Sequence, residues 1–253
     1  MHNAALAALG MGEEWRYQLL PVPPELFAET VRALEPTGFR GANVTIPHKE
    51  AALALAADAT PTARAIGAAN TLTFGPGGAI HAHNTDAEGL IRSLPEPPAG
   101  KRALVLGAGG SARAAAWALR DAGAEVMVWN RTPGRAAALA ADLGVRAVER
   151  AEPADLLVNC TAAGLAAPSE TFKELPMGAD ALGEYACVVD LVYRAGGTAL
   201  LEAAGRRGST VVDGLEVLVH QGALSLEAWT GREAPIEAMR QAARDDVPPR
   251  RDP

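Results

Sequence analysis

Residues 101–112, KRALVLGAGGSA, decide the fold. Ala103-Leu104-Val105-Leu106 is an unbroken apolar run, the pattern of a strand buried on both faces. It stops at glycines, and residues 111–123, SARAAAWALRDAG, then read as a helix closed by Gly123. The unit repeats. EVMVWN reads as the next strand and PGRAAALAADLG as the next helix. ADLLVNCTA, ACVVDLVY and STVVDG continue the alternation with helices between them. Strand–helix units of this length predict a doubly wound parallel sheet. The spacing Gly107-Ala108-Gly109-Gly110-Ser111-Ala112 is a G-x-G-G-x-A variant of the dinucleotide fingerprint. Glycines tighten such a turn and let the backbone approach a pyrophosphate, while the helix start offers free N–H groups. A structural turn that merely needs glycine is the alternative. The strand before it and the helix after it favour a nucleotide.

The next strand end selects the dinucleotide. An NAD site places an acid there, to accept from the ribose 2′-hydroxyl. This chain instead has Asn130-Arg131-Thr132, with Arg135 just beyond. A guanidinium pairs a 2′-phosphate bidentately, so the reading is NADP. Two solvated arginines at a helix start are the alternative.

Upstream, residues 95–100, PEPPAG, form the clearest linker. Before it the chain reads as a helix (MHNAALAALGM), a strand at residues 15–22 (WRYQLLPV), a helix opened by Pro24, a short strand FRGANVTI and the helix HKEAALALAAD. Two strands follow, AIGAANTLTF and GAIHAHNTD, joined by the turn Gly75-Pro76-Gly77-Gly78, and then the helix AEGLIRSL. From Gly214 the pattern is helical, and the tail VPPRRDP is expected to be disordered. The expected fold class is α/β, with two α/β domains around a cleft. Residues 1–95 with 216–253 form a substrate domain with a mostly parallel sheet. Residues 96–215 form a Rossmann NADP-binding domain.

The 253 residues carry 23 Lys and Arg against 30 Asp and Glu, a formal net charge of -7. That balance argues against nucleic acid as the main partner. Aromatics are 4%, so Ala, Leu and Val must build the core. Two cysteines, Cys160 and Cys187, make no disulfide framework and read as buried thiols of a cytoplasmic protein. No signal peptide or bilayer-spanning run is seen, and the three Asn-x-Thr sequons carry no glycosylation reading in that setting. A monomer and a homodimer are both open.

Catalytic candidates sit at strand ends. In NVTIPHKE, Pro47 stiffens the turn and Lys49 projects just beyond it. Asp86 closes Asn84-Thr85-Asp86 at another strand end. A lone lysine at a helix start is usually solvated. A lysine and an aspartate meeting in a cleft can hold a hydroxyl and pass its proton, which hydride transfer to a carbonyl requires. His81 and His83 share a strand face without a third ligand, so no metal site is expected. His48 is an unpromising base beside the lysine.

With NVTIPHKE, GAANT, NTD, GAGGSARA, NRT, NCTAAG, DLVY, DGLEVL, HQGA and AWTG in order along nearly the whole chain, the sequence resembles the shikimate dehydrogenase family. The resemblance implies reversible NADPH-dependent reduction of 3-dehydroshikimate to shikimate, with Lys49 and Asp86 as the catalytic pair. It implies substrate contacts from Thr45, Asn70, Asp86 and Gln221, with Tyr193 reaching toward the carboxylate. It implies cofactor contacts from Gly107, Ala108, Gly109, Gly110, Ser111, Asn130, Arg131, Thr132 and Arg135, with Thr161, Leu191 and Gly214 near the ribose and nicotinamide. A hydroxyl-rich substrate fits this Thr, Asn, Asp and Gln set.

Family members usually begin with a strand, a Gly-x-Pro segment and an H-S-x-S-P motif whose serines bind the substrate carboxylate. This sequence begins at Met1-His2-Asn3, past that motif. Two lost hydrogen bonds to a charged group would weaken transition-state binding by roughly two to four powers of ten. The expectation is a less stable and less active protein than a version extended upstream. Quinate or aminoshikimate dehydrogenase and a ligand-binding protein without catalysis are the competing functions.

Overall fold

Two sheets organise the chain, and the computed structural model describes residues 1–194 and 196–246 of it. The tail at 247–253 lies outside the described residues.

The first sheet has the order β1-β3-β4-β2, where β1 is Gly41–Asn43, β2 Asp58–Ala59, β3 Thr71–Gly75 and β4 Ala79–His83. Its β1–β3 and β3–β4 pairs are antiparallel and only β2–β4 is parallel. This corrects the expectation of a mostly parallel sheet here. The turn at Pro76–Gly78 is far too short for a crossover, so β3 and β4 must form a hairpin. Residues 15–22, expected as a strand, form none. That segment is pinned by side chains instead: Asn3 accepts the Tyr17 N–H at 2.8 Å and donates to its carbonyl at 2.9 Å. Tyr17 also stacks on His2, with ring centroids 4.2 Å apart. Alternating apolar residues made the segment extended, but no strand partner lies beside it among the described residues. Sequence reading also missed the helix Pro61–Ile66, taken in part as the start of β3, and the two-residue strand β2. Phe27, Val31 and Leu34 of the helix Phe27–Leu34 pack on Leu72, Phe74, Ile80 and Ala82 of the sheet.

The second sheet is parallel throughout, in the order β10-β9-β8-β5-β6-β7. Its strands are β5 (Arg102–Leu106), β6 (Glu125–Trp129), β7 (Arg146–Ala147), β8 (Leu156–Asn159), β9 (Cys187–Asp190) and β10 (Thr210–Asp213). The two-residue β7 has no signal of its own in the sequence. Side chains alternate between faces. Val105, Val128 and Val158 meet Ala115, Leu119 and Leu139 on one side. Leu104, Leu106, Met127, Leu157 and Val188 meet Leu200, Ala203 and Ala204 on the other. A buried Leu or Val contributes about 1.5–3 kcal/mol, so these doubly covered strands supply a large share of the burial energy of this half. The helix Gly214–Thr230 leaves β10 and packs across the helix Asp86–Ser93, which joins the two sheets into one body. Among the described residues no helix is long and apolar enough to cross a membrane.

Candidate active site

Reversal of strand order places a crevice between the C-terminal ends of β5 and β8, where open α/β sheets bind ligands. Every expected cofactor residue lies at such a strand end: Gly107 to Ser111 after β5, Asn130 to Arg135 after β6, Thr161 after β8, Leu191 after β9 and Gly214 after β10. Gly107 is glycine for a reason. Its φ is +114°, and a Cβ would lie 3.1 Å from the Cys160 carbonyl oxygen. The backbone just after β8 therefore closes directly on the turn, while on its other side the Gly107 N–H donates to Trp129 O of β6 at 2.7 Å. Gly109 has open space where a Cβ would stand, so the turn can accept a phosphate closely. After β6, Asn130 Nδ2 donates to the Thr132 carbonyl and so shapes the loop. Arg131 and Arg135 are exposed, and neither pairs with a carboxylate among the described residues. Two free guanidiniums and no acid at this strand end suit a 2′-phosphate.

Lys49 and Asp86 meet. Each is the first residue of a helix, Lys49–Leu55 and Asp86–Ser93. Lys49 Nζ donates to Asp86 Oδ2 at 2.7 Å and to Ser111 Oγ at 3.0 Å. The lysine side chain is 10% exposed and the aspartate 18%, so the pair is largely out of water while one edge stays open. Asn70 holds the other carboxylate oxygen. Its Nδ2 lies 2.8 Å from Asp86 Oδ1, 2.9 Å from Thr85 Oγ1 and 3.1 Å from Gln221 Oε1, three acceptors sharing the two N–H groups of the amide. Gln221 is oriented in turn by donating to the Leu218 carbonyl. Five expected residues, Lys49, Asp86, Asn70, Gln221 and Ser111, thus share one network.

Thr45 and Tyr193 stand outside it. Thr45 is exposed, and Tyr193 is 44% exposed on the loop after β9. Neither side chain joins the Lys49–Asp86 network. Thr161 donates to Asn159 Oδ1 at 2.7 Å, and Asn159 Nδ2 donates to Asp190 at 2.8 Å. Burial pushes the Asp190 carboxyl up from the usual carboxylate range, against hydrogen bonds from Thr198, Asn159 and the Val192 N–H. This buried clasp sets the loops after β8 and β9. Burial also raises the Cys160 and Cys187 thiols, which remain protonated and without a disulfide. His48 faces away from the lysine, stacked on Phe27 with its Nε2 2.9 Å from the Val22 carbonyl. His83 contacts Thr73. No group of three or more His, Cys, Asp or Glu side chains suited to a metal occurs among the described residues.

Sequence reading missed the layer behind the dyad. Ser225 Oγ lies 2.8 Å from both Thr71 Oγ1 and Asn43 Nδ2 and 3.2 Å from Thr85 Oγ1; the three hydroxyls are buried and Asn43 is half-buried. The available signal was a serine four residues after Gln221 in the same helix, a spacing that puts both on one face.

Three family models match the chain. Residues 1–72 match the shikimate dehydrogenase substrate binding domain, 91–170 shikimate / quinate 5-dehydrogenase, and 214–244 the shikimate 5'-dehydrogenase C-terminal domain. The shikimate dehydrogenase (NADP(+)) of one Thermus thermophilus strain is 46% identical over 248 residues, covering 96% of this chain and 91% of that relative. The enzyme of the same name from Methanopyrus kandleri is 44% identical over 261 residues, covering 96% and 88%. Shikimate 5-dehydrogenase from a second Thermus thermophilus strain, crystallised with NADP(H) and shikimate, superposes with a TM-score of 0.87 at 43% identity over 96% of this chain and 92% of that one. With this identity along nearly its whole length, the chain belongs to the shikimate dehydrogenase family.

Proposed function

We propose that the chain catalyses the reversible NADP-dependent reduction of 3-dehydroshikimate to shikimate. The observation that carries this reading is the Lys49–Asp86 contact at 2.7 Å, set beside the glycine turn of a nucleotide fold. NADPH bound on that turn supplies a hydride to the carbonyl carbon. The carbonyl oxygen then takes up negative charge, and the Lys49 ammonium donates a proton to it, leaving a hydroxyl. Asp86 holds the ammonium through Oδ2 and is itself held by Asn70 through Oδ1. In the oxidative direction Lys49, as the neutral amine left after that donation, accepts the hydroxyl proton and becomes the ammonium.

Thr45, Asn70, Asp86 and Gln221 are the groups we assign to the substrate's hydroxyls and carboxylate, with Tyr193 reaching toward the carboxylate. Gly107 to Ser111 receive the pyrophosphate. Asn130, Arg131, Thr132 and Arg135 take the adenosine 2′-phosphate, and Thr161, Leu191 and Gly214 flank the nicotinamide end. Residues 1–95 with 216–253 are the substrate part and 96–215 the cofactor part. The working protein is a cytoplasmic monomer or homodimer acting on a small molecule.

NADPH absorbance, followed with shikimate and with quinate in the presence of NADP and of NAD, tests the reading. Turnover of shikimate with NADP in clear excess over the other three combinations is expected. Preference for quinate would reassign the substrate, and no turnover with any pair would overturn the assignment.

A further inference from the structure

Ser111 stands on the cofactor turn, as the second residue of the helix Gly110–Asp121, yet its hydroxyl points elsewhere. It accepts from Lys49 Nζ at 3.0 Å, across the boundary between the two sheets. The lysine stem lies on the neighbouring glycine: a Cβ at Gly110 would stand 3.2 Å from Lys49 Cβ and 3.1 Å from its Cδ. The proton donor of one half therefore rests on the nucleotide turn of the other. An ammonium has three N–H groups. Asp86 takes one and Ser111 a second, so one is left for a substrate oxygen.

We propose that Ser111 is a positioning residue for Lys49, its hydroxyl setting the rotation of the ammonium so that the remaining N–H meets the carbonyl oxygen. This rests on the reading of Lys49 as proton donor. Two ends of the residue then serve two tasks. The backbone N–H of Ser111 belongs to the anion site at the helix start, and the side chain belongs to the lysine. With Ser111 reduced to alanine, the ammonium keeps only Asp86 as a fixed acceptor and can swing about that one bond. The stem is still confined by Gly110, so ground-state binding is spared and alignment is lost.

Ser111→Ala and Ser111→Thr in the full chain test this, with NADP and shikimate as the probes. A hydrogen bond to a charged group of this kind accounts for about a ten- to hundredfold effect on rate. The expected result is a fall of that size in the single-turnover hydride-transfer rate of Ser111→Ala. KM for shikimate and Kd for NADP should be unchanged, and Ser111→Thr, which keeps the hydroxyl, should recover most of the rate. Weakened NADP binding at an unchanged rate would overturn the proposal, because the hydroxyl would then serve the cofactor. Equal rates in wild type and Ser111→Ala would overturn it as well. Competitive acetylation of Lys49 without any ligand gives an independent readout. Labelling should rise in Ser111→Ala and return in Ser111→Thr, and equal labelling in all three proteins would overturn the coupling. Failure of the wild type to oxidise shikimate would sink the proposed function, while the labelling comparison still decides the Ser111–Lys49 link.

Discussion

Asn70→Ala cuts the network at its centre, and its cost can be worked from the contacts. The amide is 2% exposed. Its Oδ1 accepts the Thr85 N–H at 2.7 Å, and the two N–H groups of its Nδ2 are shared among Asp86, Thr85 and Gln221. Not all of these losses count. The hydroxyls of Thr71, Thr85 and Ser225 lie within 2.8–3.2 Å of one another and can pair among themselves. The Thr85 N–H and Asp86 Oδ1 have no such substitute. An orphaned buried donor costs about 1–3 kcal/mol, and a lost hydrogen bond to a carboxylate about 1.5–3 kcal/mol. Water entering the polar gap returns part of this, which leaves about 2–4 kcal/mol. For a chain of this length each kcal/mol moves Tm by about 2–4 °C, so the melting midpoint should fall by about 4–16 °C. Circular dichroism melts and urea titrations read this out, with the urea m-value unchanged. The turnover number should drop in parallel, since Asp86 keeps only its Lys49 contact, while NADP affinity holds. A midpoint within about 2 °C of wild type together with unchanged turnover would refute the reasoning.

Two further perturbations test other parts. Burial holds the His2 imidazole down at about 4, against an ordinary value of 6.5, with the Gly222 backbone pulling the other way. The unfolded chain therefore binds more protons as pH falls. Stability from this group is complete above about 6.5 and is lost as pH falls from there toward 4. The loss at about pH 5 is about 2 kcal/mol. His2→Phe keeps a ring beside Tyr17 and should flatten the fall in Tm between neutral and mildly acid pH; an unchanged slope would contradict the assignment. On the cofactor side, Arg131→Ala combined with Arg135→Ala should weaken NADP by about ten- to hundredfold per lost charged contact and leave NAD nearly unaffected. Equal weakening of both nucleotides would show that neither arginine reads the 2′-phosphate.

The cofactor half was legible because its signals are local. Residues 103–106 are apolar on both faces, the glycines sit at the strand end, and Arg131 stands where an acid would be; each needs only neighbours in sequence. The substrate half was less so. Residues 15–22 alternate like a strand, but pairing depends on what lies alongside, which composition does not encode. The hairpin at Pro76–Gly78 was visible, yet its consequence for sheet direction was not carried through. Lys49 and Asp86 were legible as a pair because both follow polar strand-end motifs. The layer of Asn43, Thr71, Thr85 and Ser225 was not. Its members come from three separate elements and a loop, and nothing local to NVTIPHKE, GAANT or NTD shows that they meet until the helix Gly214–Thr230 brings Ser225 against β1 and β3. The Ser111 contact with Lys49 was hidden for a similar reason, because a serine in a glycine turn reads as a phosphate ligand.

Removal of the lysine headgroup tests the central claim most directly. Lys49→Ala, assayed by single-turnover hydride transfer between NADP and shikimate, should lose about 10²–10⁴-fold in rate, the range for a positioned proton donor, with NADP affinity unchanged. A variant that transfers hydride at the wild-type rate would contradict the account, whatever its stability.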